Sequence, residues 1–127
     1  MTDNVFNVPW SDPRLSSNKR LDRRALTAVR QTAREIGFYA VKEANIKLSA
    51  APIELMLVFF PPDASRRDLD NLYTSFKPTQ DGIFEALGLD DSLIRRVVLQ
   101  WGPVKETGSV NVFLNVQTEY DEEDTKA

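Results

Sequence analysis

The residues Ile53 to Phe60 form a nearly unbroken apolar run, interrupted only by Glu54 and closed by Pro61-Pro62. A strand with one wet face alternates polar and apolar residues. A run like this one instead suits a central strand covered on both faces. The fold must then supply neighbours on either side of it and helices to cover it.

The rest of the sequence offers candidates for each. Val5-Phe6-Asn7-Val8-Pro9-Trp10 reads as a short strand with Phe6, Val8 and Trp10 on one side, and Pro9 places it at an edge or a strand end. Ser, Asp, Pro and Asn make residues 11–19 a loop. From 21 to 46, Leu21, Ala25, Val29, Ala33, Ile36, Ala40 and Ala44 recur at helical spacing, with Gly37 a weak point or a local end. A second stripe, Leu72, Phe76, Ile83 and Leu87, predicts a helix between 71 and 87; Pro78 leaves its boundary open. Residues 94–101 and 110–117 read as two strands. The short link between them predicts an antiparallel pair. The order β-α-β-α-β-β predicts a small single-domain α/β fold with a mixed sheet and two main helices, spanning residues 1–118. Residues 119–127 read as an acidic, disordered tail.

Composition narrows the chemistry. The chain has no cysteine, hence no disulfide framework and no thiolate metal site, which is compatible with a reducing cytoplasm. It has no histidine either. That excludes Ser-His-Asp and Cys-His hydrolases, H-E-x-x-H zinc proteases and histidine-dependent nucleases. No apolar run approaches the ~18–20 residues that a membrane span needs, and the first residues lack the pattern of a secretory signal. The net charge of −3 is unevenly spread. Residues 14–47 hold nine Lys/Arg, among them Lys19, Arg20, Arg23 and Arg24, against three acids, whereas residues 119–127 hold five acids against one lysine. A local basic patch, rather than the total, sets affinity for phosphates.

The densest chemistry lies in Arg66-Arg67-Asp68-Leu69-Asp70-Asn71, followed by Lys77, Asp81 and Leu89-Asp90-Asp91-Ser92. Carboxylates without histidine or cysteine suit a hard cation such as Mg²⁺. If the backbone at 68–70 is extended, Asp68 and Asp70 point the same way, and Asn71 can cap the next helix. Lys77 and Asp81, four apart, share a helical face. Asp90 and Asp91 would return to the mouth of the preceding strand. Arg66-Arg67 and Arg95-Arg96 flank the cluster and suit phosphate contact. Each fragment also has a plain structural reading, as turn residues, caps or a solvent ion pair. An EF-hand loop from Asp68 would need Gly and Glu where Tyr73 and Thr79 stand, so that reading fails.

Taken together, these pieces resemble the RusA-type crossover junction endodeoxyribonucleases, small resolvases of four-way DNA junctions in bacteria and their prophages. The likeness rests on the opening strand ending in Pro-Trp, the loop Ser16-Ser17-Asn18-Lys19-Arg20, the long helix and the ordered Asp-x-Asp-Asn, Lys-x-x-x-Asp and Leu-Asp-Asp-Ser segments. The resemblance implies a cytoplasmic homodimer that nicks two strands of a Holliday junction with Mg²⁺, or Mn²⁺ in its place, during recombination or repair. By carry-over Asp68, Asp70 and Asp91 would be the catalytic, metal-binding carboxylates, with Asp90 able to share the third position, and Lys77 the essential lysine. Lys19, Arg20, Arg23, Arg24, Arg66, Arg67, Arg95 and Arg96 would contact DNA. Two other readings fit the same residues: a branched-DNA-binding module without catalysis, and a metal-dependent nuclease of broader substrate range.

Overall fold

The computed structural model describes residues 4–16 and 22–117. The expected acidic tail, Lys19, Arg20 and the first residue of the expected long helix lie outside them. The elements run β1 (Val5–Pro9), α1 (Arg23–Ala44), β2 (Ile53–Phe60), α2 (Leu69–Leu87), β3 (Ile94–Trp101) and β4 (Ser109–Val116). Short 3-10 turns occupy Pro13–Leu15 and Asp91–Leu93. This is the expected β-α-β-α-β-β order in a mixed four-stranded sheet.

The sheet order is β1-β4-β2-β3. β3 runs parallel to β2, and β4 is antiparallel to both β1 and β2. The expected β3–β4 hairpin is therefore not formed. β4 lies on the opposite side of β2, and the link at 102–108 crosses the end of β2. Gly102 and Lys105 fix that crossing by donating backbone N–H bonds to the Phe59 and Pro61 carbonyls, both at 2.8 Å. The sequences explain the choice. β4 presents Val110, Val112 and Leu114 for complete burial. β3 carries Arg95 and Arg96, which belong on an edge where water reaches them.

One face of β2, with Leu55, Leu57 and Phe59, is fully buried against Val41 of α1 and Leu72, Phe76, Ile83 and Phe84 of α2. The opposite face is not covered by a second layer among the described residues. Met56 and Phe60 are only half-buried there, so β2 is central within the sheet but helix-covered on one side.

α1 does not end at Gly37. It starts with the Asp22 carboxylate accepting the Ala25 N–H at 2.8 Å and runs to the left-handed cap at Asn45. Gly37 and Gly82 mark the crossing of the two helices. A Cβ on Gly37 would collide with the Thr79 carbonyl, and one on Gly82 with the Arg34 carbonyl. Backbone meets backbone here, and no side-chain adjustment can relieve an added methyl. Pro78 is tolerated inside α2, although the Thr74 carbonyl thereby loses its helical donor. Buried Phe76 and Ile83 hold the helix on either side of it.

Alanine normally stabilises an exposed helix by ~1 kcal/mol over glycine. At Gly37 and Gly82 we expect the opposite sign, a loss of roughly 1–3 kcal/mol from overpacking. Urea unfolding of each variant measures it, and an unchanged or raised midpoint would remove the close crossing.

Candidate nucleic-acid interface and acidic site

Strands β1 and β2 run parallel to each other, so both helices start at the same end of the sheet. Thr27, Arg30 and Arg34 line one groove with Thr74, Lys77 and Asp81, and Val41 and Asn45 line another with Ala86 and Leu87, so α1 and α2 run side by side in the same direction. Two helix N-termini, each with partial positive charge, thus lie at the end where Arg23, Arg24, Arg66 and Arg67 are found. Beside α2, a cleft of about 510 Å³ is lined by Trp10, Ser11, Pro13, Ser16, Arg66, Arg67, Asp68, Asn71, Leu72 and Ser75.

The two arginines entering the cleft have different duties. Arg67 is tied down: its Nη2 donates to Asp63 Oδ1 at 2.9 Å, and its Nη1 to the Asp63 and Ser65 carbonyls at 3.2 Å. Its guanidinium also lies 5.4 Å from the centre of the Trp10 ring, which meets Phe59 edge-on. The bonds that Ser65 and Arg67 donate to the Asp63 carboxylate hold its pKa below the ordinary value. Arg66 is exposed and joins no ion pair among the described residues. The same division recurs on β3, where Arg96 pairs with Glu54 at 3.3 Å while Arg95 is exposed and joins no ion pair. Within these two pairs, Arg66 and Arg95 are the members that no carboxylate engages among the described residues.

Asp68 has extended backbone and stands at the N-cap, but its carboxylate makes no capping bond. The helix starts at Leu69, one residue earlier than the strand-like spacing of 68 and 70 requires. Asp70 therefore sits in the first turn, accepting the Asn71 N–H at 2.9 Å, and Asn71 is inside the helix rather than its cap. Lys77, two turns on, lies in the groove between the helices with Arg30, Arg34 and Asp81. Its ammonium sits 4.4 Å from the Tyr73 ring centre, and no ion pair to Asp81 forms among the described residues.

Asp90 and Asp91 are at the other end. Because β3 is parallel to β2, Ile94 pairs with Ile53, the first residue of β2. The pair therefore lies at the start of β2 and not at the mouth where it ends. Asp90 accepts the Ser92 N–H at 2.7 Å, which holds its carboxyl below the usual pKa. With Asp81 and Glu85 it makes an acidic depression, relieved by Arg34, which pairs with Glu85 at 2.9 Å. The nineteen residues of α2 make a helix about 27 Å long at 1.5 Å per residue, with Asp68 and Asp70 at its start and Asp90 and Asp91 beside its last turns. Among the described residues no group of three or more acidic side chains is close enough to hold one metal ion.

The roles of Trp10 and of Ser11, Ser16 and Ser75 in lining the cleft were not legible beforehand; only the Pro-Trp ending of β1 hinted at them. A larger cleft of about 760 Å³ between the Pro13 turn and α1 is lined chiefly by small apolar residues. Its one charged pair, Asp12 and Arg14, is closed on itself at 2.7 Å. No helix among the described residues is long and apolar enough to cross a membrane.

No protein-family model matches the chain. An uncharacterized protein of Xylella fastidiosa (strain Temecula1 / ATCC 700964) is 36% identical over 91 residues, an alignment covering 68% of this chain and 59% of that protein. The chain thus spans less than two thirds of the length of the relative it matches.

Replacing Arg67 by Ala should lower stability, because it releases Asp63 and uncovers Trp10. Arg66→Ala should leave the unfolding midpoint unchanged. If this end binds DNA, Arg66→Ala should also reduce the slope of log affinity against log salt by about 1. Thermal melts and salt-dependent binding of the two variants separate these roles, and equal effects of both would contradict them.

Proposed function

We propose that this protein is a Mg²⁺-dependent, structure-specific endodeoxyribonuclease acting as a homodimer on four-way DNA junctions, in the manner of the RusA-type resolvases. The observation that carries the reading is the ordered series Arg66-Arg67-Asp68-x-Asp70-Asn71, Lys77, Asp81 and Asp90-Asp91. It follows one complete β-α-β unit from the end of β2 to the start of β3.

The gathering of cations at one end supports a polyanionic ligand. Two helix N-termini favour phosphate oxygens there, and Arg66 is exposed for contact. Trp10 and Arg67 form the rigid wall of the adjoining cleft. Lys77 is exposed and in reach of a phosphate lying along the inter-helix groove, where it would offset developing negative charge. Asp68, Asp70 and Asp91, with Asp90 beside it, are the oxygen donors of the reading. Within one chain they do not fit around a single ion: Mg²⁺ binds oxygens at 2.0–2.1 Å, whereas Asp68 and Asp70 stand at the start of α2 and Asp90 and Asp91 beside its last turns.

That separation lends weight to a second reading, a branched-DNA-binding module without catalysis. Purified protein incubated with an immobile four-way junction and Mg²⁺ distinguishes them. Paired nicking of the junction, little action on linear duplex, and loss of at least 100-fold in Asp70→Asn are expected. Retarded but uncut junction DNA would establish the binding module. Equal cleavage of linear duplex would remove the preference for junctions and point to the broader nuclease.

A further inference from the structure

We infer that Tyr73 is a positioning residue for Lys77: its ring draws the lysine ammonium one turn back along α2, toward Asp68 and Asp70, with no carboxylate to neutralise it. The inference rests on the nuclease reading for what Lys77 does there, but its geometry belongs to the helix. The Lys77 ammonium sits 4.4 Å from the centre of the Tyr73 ring, close enough for the negative face of the ring to attract it. No ion pair involves Lys77 among the described residues.

Two partners compete for this lysine, one turn away in opposite directions. Tyr73 precedes it by four residues and Asp81 follows it by four. Helical side chains lean toward the N-terminus, and a lysine placed before its acid is the weaker order of an i,i+4 ion pair. Both effects favour Tyr73. The choice has a chemical consequence. Pairing with Asp81 would turn the ammonium toward the acidic end and engage its donors. Against the ring it keeps its charge for a phosphate and stays on the side of Asp68 and Asp70, in the groove it shares with Arg30 and Arg34.

The ring is itself held in place. Its hydroxyl donates to Gln80 Oε1 at 2.9 Å, and its body packs against the main core. Gln80 is 3% exposed and interrupts the buried stripe of Phe76 and Ile83. That is a costly place for an amide unless it has a bond to make. The bond also spans Pro78, where the helix lacks a donor, so it splints α2. Splinting and positioning depend on different atoms. The splint needs the hydroxyl, and the lysine needs the ring face.

Variants at Tyr73 separate the two. Tyr73→Phe keeps the ring and loses the bond, so it should melt at a lower temperature yet cut the four-way junction with nearly the wild-type kcat. Tyr73→Leu loses the ring and should lower kcat about two- to fivefold with KM little changed. In a Lys77→Ala background the same Tyr73→Leu should lower kcat no further, because its effect runs through the lysine. A further loss in that background, or a fall in Tyr73→Phe as large as in Tyr73→Leu, would overturn the positioning role and leave only the splint.

Nuclear magnetic resonance tests the geometry without cleavage. The ε-methylene protons of Lys77, assigned by their loss in Lys77→Ala, should be shifted upfield from those of the other lysines by the Tyr73 ring current. The shift should persist in Tyr73→Phe and vanish in Tyr73→Leu. If the wild-type protein binds the junction and does not cut it, the nuclease reading fails, and the positioning stands on this shift and on movement of the Lys77 signals when junction DNA is added. An unshifted Lys77 in the free protein, or Lys77 signals that junction DNA leaves unmoved, would overturn the inference.

Discussion

The parallel pairing of β2 with β3 is the constraint on which the rest of the structure depends. Two adjacent parallel strands cannot be joined by a tight turn, so the chain must cross back over the sheet. Here the crossover is α2, which carries the chain from the end of β2 to the start of β3. Leu72, Phe76, Ile83 and Phe84 bury its inner face. The chain has thereby spread a motif that is compact in sequence over the full height of the domain. Asp68 and Asp70 stay at one end and Asp90 and Asp91 are delivered to the other.

The contact between α1 and α2 gives the molecule its polarity. The crossing at Gly37 and Gly82 brings the helix backbones together and fixes the two helices side by side, starting at one end. Their N-termini, Arg23, Arg24, Arg66 and Arg67 gather there, while Glu85, Asp90 and Asp91 collect at the opposite end. A net charge of −3 conceals this division. The first end is the one complementary to a polyanion.

Much of this was legible in the sequence because it follows local rules. The alternation in Val110, Val112 and Leu114, the stripe from Ala25 to Ala44 and the apolar run of β2 each reflect a side chain's own surroundings. Strand order was less accessible: a short link between 101 and 109 reads as a hairpin, and nothing local shows that it crosses the end of β2. Gly37 reads as a helix weakness until Thr79 of the other helix is seen against it. Asp68 and Asp70 read as strand neighbours because the helix start depends on one residue. The distance between Asp70 and Asp91 was hidden for a different reason. Twenty-one positions of sequence can close into a loop or, as here, span a sheet.

The division of each arginine pair was equally out of reach. Arg66 and Arg67 are chemically the same, but Asp63, Ser65 and Trp10 claim only the second. Glu54 likewise claims Arg96 and leaves Arg95. A binding surface read from sequence therefore counts cations that the fold has already used.

The most direct measurement is the anomalous scattering of Mn²⁺ in crystals of the protein. A peak beside Asp68 and Asp70, at the end of the domain that carries Arg66, is expected. The absence of any ion at Asp68 and Asp70 in such crystals would contradict the metal-dependent reading.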